Sequence, residues 1–106
     1  MSVLYVSEYA TAGLDGRLLP MVIAQEPVLA EQIFTISGSS TAVTNAFQPA
    51  TTYVRIHTDA ICSITFGTAP VATTSMKRMA ANTTEYFAVP VGKSYKVAAI
   101  TNTSEV

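Results

Sequence analysis

A period-two alternation, cut at intervals by turn residues, sets the limits on what this chain can fold into. From Thr52 to Thr58, Val54 and Ile56 fall on one side and Tyr53, Arg55 and His57 on the other, the pattern of a half-buried strand. A turn around Thr58-Asp59 leads into Ile61 to Phe66, where Cys62, Ile64 and Phe66 share a face before Gly67 to Pro70 end the run. Gln32 to Ile36 is a further β-branched and aromatic run, closed by Ser37-Gly38-Ser39-Ser40. Glu85 to Val89 and Tyr95 to Ile100 flank a turn with Pro90, Gly92 and Lys93. The spacing predicts two hairpins, 52–58 with 61–66 and 85–89 with 95–100. It also predicts one strand within 72–84, around Met76-Lys77-Arg78-Met79. Ala80-Ala81 could start a helix, but Asn82-Thr83-Thr84 stops it. Strands at this spacing make an antiparallel sandwich or small barrel. Phe34, Ile36, Phe47, Val54, Ile56, Cys62, Ile64, Phe66, Phe87, Val89, Val97 and Ala99 are the expected core.

Residues 1–30 have another texture. Gly13, Asp15-Gly16, Pro20 and Pro27 separate short apolar pieces, Val3 to Val6 and Met21 to Ala24. Neither piece has helical periodicity. Both fit short strands in an extended arm that finds its partner outside its own core, and a chain without residues 1–30 is expected to remain a soluble β protein.

At 106 residues one domain is the default. Charged residues are 12% of the chain and the formal net charge is −1, well under the usual charged share of about 25%. A nucleic-acid binder needs a basic stripe, and six Lys/Arg scattered among seven Asp/Glu do not make one. The longest apolar stretch, Leu18 to Ala24, is interrupted by Pro20 and falls short of a membrane span. The first residues lack the basic start of a signal peptide, so synthesis in the cytoplasm is expected. The single cysteine excludes an internal disulfide.

Catalytic chemistry finds no footing in these residues. His57, Asp59 and Cys62 are near in sequence, but alternation sends His57 to the polar face and Cys62 to the apolar one. A core cysteine, a surface histidine and a turn aspartate follow. One histidine and dispersed carboxylates give no metal spacing. Single turn glycines make no phosphate loop. No enzyme, cofactor or metal is expected. Asn82-Thr83-Thr84 and Asn102-Thr103-Ser104 match the glycosylation tripeptide by coincidence. The face with Tyr53, Arg55 and His57 points instead to protein contact, since Tyr and Arg carry interface energy.

Several segments carry a resemblance. Tyr53-Val54-Arg55-Ile56-His57-Thr58-Asp59-Ala60-Ile61-Cys62-Ser63-Ile64 is one, continued by Thr65 to Thr73. Met79 to Asn82, Glu85 to Val89, Lys96 to Ala98, Leu4 to Tyr9 and Ala24 to Pro27 are others. Together they resemble a group of small virion structural proteins of tailed bacteriophages and prophages. The resemblance touches most of the chain, rests on strand-and-turn patterns, and supplies no catalytic residues. It implies a capsid decoration, or cement, protein that binds the major capsid protein lattice and pairs with itself as a dimer or trimer. Its place would be the virion surface, after synthesis in the bacterial host cytoplasm, with no nucleic acid or membrane as partner. The expected fold is all-β: an antiparallel, jelly-roll-like β-sandwich over residues 31–106, with an extended N-terminal arm over 1–30. Leu4, Tyr5, Val6 and Tyr9 on the arm, with Tyr53, Arg55 and His57 on the sandwich, are the expected contact residues. A tail or head–tail connector component is the alternative, and a glycan-binding module for host adsorption a more distant one.

Overall fold

A computed structural model describes residues 2–10, 12–14, 20–24 and 26–102. The described residues form ten strands and no helix. These are β1 (Val3–Tyr9), β2 (Ala12–Leu14), β3 (Pro20–Ala24), β4 (Ala30–Thr35) and β5 (Thr41–Ala42), then β6 (Tyr53–Thr58), β7 (Cys62–Gly67), β8 (Lys77–Met79), β9 (Thr83–Ala88) and β10 (Lys96–Thr101). One four-stranded sheet runs β4-β1-β6-β9 and a second runs β5-β10-β7-β8, while β2 and β3 pair only with each other. Every pairing is antiparallel. The all-β expectation holds.

Both sheets turn apolar faces onto one core. Leu4, Val6, Val54 and Ile56 come from the first sheet, and Cys62, Ile64, Met79, Val97 and Ala99 from the second. Phe34, Phe66, Phe87 and Tyr95 pack against this cluster while half-buried. Val43 and Phe47 enter it from the segment after β5, where their N–H groups donate to the carbonyls of Val97 (3.0 Å) and Tyr95 (2.8 Å). Each large side chain adds about 1.5–3 kcal/mol on full burial. Nine of the twelve expected core residues are buried; Phe34, Phe66 and Phe87 are the half-buried remainder.

Neither expected hairpin forms. β6 lies in the first sheet and β7 in the second, and β9 and β10 are divided the same way. The turn after β6 is instead a corner between sheets. There Thr58 Oγ1 donates to the Ala60 carbonyl and accepts from the Ala60 N–H, at 2.6 and 3.2 Å. Two successive strands that each carry a broad apolar face can bury it against one another across a core as well as side by side. Alternation is the same in both arrangements.

The N-terminal expectation is corrected for Val3–Tyr9. β1 lies between β4 and β6, opposing Leu4 to Phe34 and to Thr58. Leu4 and Val6 belong to the shared core. This part of the segment is integral to the first sheet, not an arm, because its apolar face and both of its ladder edges are filled from within the chain. Deletion of residues 1–30 would therefore remove an interior strand. β2 and β3 join neither large sheet.

Polar anchors close the ends of the two sheets. Glu8, 1% exposed, faces inward and accepts from the Gln48 N–H at 2.7 Å and from Thr51 Oγ1 at 2.8 Å. Asn102 Nδ2 donates to Ser63 Oγ at 2.8 Å and to the Thr74 carbonyl at 3.1 Å. Among the described residues no buried polar side-chain atom lacks a partner. Asn82 takes the left-handed φ of 57° in the turn from β8 to β9, a conformation asparagine tolerates better than most residues.

Candidate functional site

The outward face of the β4-β1-β6-β9 sheet gathers the polar and aromatic positions of its strands. Odd-numbered residues of β1 and β6 point there because even-numbered ones line the core. The ladder registers set three rows across the face. Ile33, Tyr5, His57 and Thr84 form the first, and Glu31, Ser7, Arg55 and Tyr86 the second. Tyr9, Tyr53 and Ala88 form the third.

Aromatic contacts stitch the rows together. Tyr9 stacks on Tyr53 with ring centroids 5.2 Å apart, and Tyr53 meets Tyr86 at 6.3 Å. Tyr5 tilts against His57 at 5.8 Å. Ile33 and Tyr86 remain more than half exposed, at 57% and 55%. Between them lies a shallow depression of about 280 Å³ lined by Tyr5, Ser7, Glu31, Arg55, His57 and Asp59. Ser7 opposes both Arg55 and Glu31 in the ladder, and its small side chain leaves room between those longer ones.

His57 Nδ1 shares a 2.8 Å hydrogen bond with Thr84 Oγ1. Its Nε2 lies 3.8 Å from Asp59 Oδ1, longer than a hydrogen bond. Tyr9 is the buried base of the aromatic stack, and its hydroxyl donates to Glu26 Oε2 at 2.9 Å. Burial, and then this carboxylate, push its pKa up to about 12. Cys62 is wholly buried on the other side of the sandwich-like fold, and burial pushes its thiol pKa up. Among the described residues no group of three or more His, Cys, Asp and Glu is placed to hold a metal ion.

The seven expected contact residues therefore divide. Tyr5, Tyr53, Arg55 and His57 share the outward face. Leu4 and Val6 point into the core, and Tyr9 is covered, so these three do not present a contact surface. Ile33, Glu31, Ser7, Asp59, Thr84 and Tyr86 were missing from the expected set. The local period of β4 and β9 carried the signal for Ile33 and Tyr86, but joining them to Tyr5 and Arg55 required the strand order. Comparison with protein-family models, curated proteins and solved structures gives no match to this chain.

Proposed function

We propose that this chain is a non-enzymatic capsid decoration protein of a tailed bacteriophage, binding the major capsid protein lattice through the outward face of the β4-β1-β6-β9 sheet. The observation that carries the reading is the face itself: Tyr5, Tyr53, Tyr86 and Ile33 arranged around Arg55 and His57. Tyrosine and arginine are the residue types on which interface energy concentrates. Aromatic rings beside an arginine match the residue types enriched in docking patches. The sequence resemblance to small phage virion proteins supplies the partner. Reinforcement requires no chemistry, because binding only the closed shell stabilises it by mass action.

The jelly-roll-like sandwich belongs to the same proposal. The chain steps between sheets from β4 to β5, to β6 and to β7, and again from β8 to β9 and to β10. Such switching between two four-stranded sheets suits a double Greek key.

The test is co-sedimentation of the purified chain with undecorated phage heads. The chain is expected to pellet with heads, and Tyr5→Ala combined with Arg55→Ala to weaken retention at least about tenfold. A folded chain left wholly in the supernatant overturns the proposal. A second reading, host-glycan binding, draws on the depression, where Tyr5 offers a ring and Glu31, Arg55 and Asp59 offer hydrogen bonds. Signal on a glycan array without retention on heads would favour it.

A further inference from the structure

We propose that the open edge of β9 is a self-pairing surface, joining two copies of this chain into a dimer with one continuous eight-stranded sheet. The pairing does not rest on the capsid reading. β9 is bonded to β6 on one side, and no described strand pairs with its other side. The Val89 N–H donates to the Thr52 carbonyl at 2.9 Å. Alternation along an antiparallel ladder then turns the backbone groups of Phe87, Glu85 and Thr83 toward β6. Those of Thr84, Tyr86 and Ala88 face away from it. An edge strand of six residues with such a row is a template for another strand. The other edges of the two four-stranded sheets serve less well. β5 has two residues and β8 three. β4 is flanked by the segment at Asn45, whose backbone N–H and carbonyl are clasped by the Gln32 amide at 3.0 and 2.9 Å.

Side-chain chemistry selects both the occupant and the register. A two-fold antiparallel pair must keep inward residues opposite inward residues. Centring on Glu85 would set two carboxylates face to face, which is unfavourable. Centring on Tyr86 pairs Tyr86 with its copy and Thr84 with Ala88, so every outward backbone group from Thr84 to Ala88 gains a partner. Glu85 then lies opposite Phe87 of the second copy. Lys77 Nζ sits 5.7 Å from the centroid of that Phe87 ring, so each Glu85 meets a lysine across the junction. An inward charge ordinarily protects an edge from pairing; the lysine makes this edge selective for its own copy. Pro90, which has no N–H, ends the ladder beyond Ala88. The two-fold axis crosses the sheet, so both aromatic faces look the same way and a lattice could be gripped at two points.

Sedimentation equilibrium of the full chain, without particles, over a micromolar-to-millimolar series tests this. A monomer–dimer equilibrium is expected. Tyr86→Pro removes the central N–H on the open side and is expected to weaken dimerisation at least about tenfold, with circular dichroism reporting the unchanged fold. Glu85→Lys should weaken it by repulsion from Lys77, and adding Lys77→Glu should restore it. A wild-type chain that stays monomeric overturns the proposal. So does a dimer left intact by Tyr86→Pro, or a charge-swapped double variant no tighter than Glu85→Lys. Because no head is present, the result is separable from the test of capsid binding.

Discussion

At the scale of single residues, the most informative side chains are polar ones in covered places. Tyr9 ionises late because burial and then the Glu26 carboxylate disfavour the phenolate, with a pKa of about 12 against the ordinary 10.0. A group whose pKa is higher folded than unfolded contributes stability that is complete below the unfolded value and is lost as pH rises through the folded one. The window is therefore about pH 10 to 12. Absorbance titration of phenolate is expected to show a late phase that Tyr9→Phe removes. A late phase left unchanged by that substitution, or none at all, would contradict the geometry. Glu8 makes a second case. Its carboxylate satisfies Gln48 N–H and Thr51 Oγ1, so Glu8→Ala leaves two covered donors without an acceptor. That loss is expected to cost about 1–3 kcal/mol, read as a lower urea midpoint. No local pattern foretells it, since a glutamate in an alternating run normally marks the wet face. Asn102 belongs with these: its side chain is spent on Ser63 and Thr74 and is 4% exposed, so it offers no open acceptor for a sugar.

At the scale of elements, alternation located strands but not their neighbours. Val54 and Ile56 against Tyr53, Arg55 and His57 divided inside from outside correctly. The same period in β6 and β7 suggested a hairpin, although the chain turns a corner there and the two strands line the core from different sheets. β1 was harder to assign. Leu4 and Val6 were visible as apolar, but the surrounding Gly and Pro residues gave the segment the texture of a loose arm. Its partners β4 and β6 are set by long-range registry that no local window contains. Truncation separates the two views. Removing residues 2–9 is expected to abolish the folded state, seen as loss of the cooperative thermal transition. A truncated chain that still melts cooperatively would return this segment to the status of an arm.

At the scale of the whole molecule, two four-stranded sheets bury a common core and leave one aromatic face outward. Composition foreshadowed this division of labour. A chain with 12% charged residues covers much of its surface with hydroxyl, amide and aromatic groups, which lose less than ions do on desolvation. The face itself could not be read from the sequence, because it is assembled from β4, β1, β6 and β9, four strands drawn from widely separated stretches. The interior place of β1 also bears on how the molecule is made. During synthesis β1 must stay unzipped on both flanks until Ala30–Thr35 and then Tyr53–Thr58 have emerged. Closing such distant ladders is slow by nature, so a nascent chain spends its early life with Leu4 and Val6 bare, and birth rather than maturity is when this protein is most vulnerable to sticking.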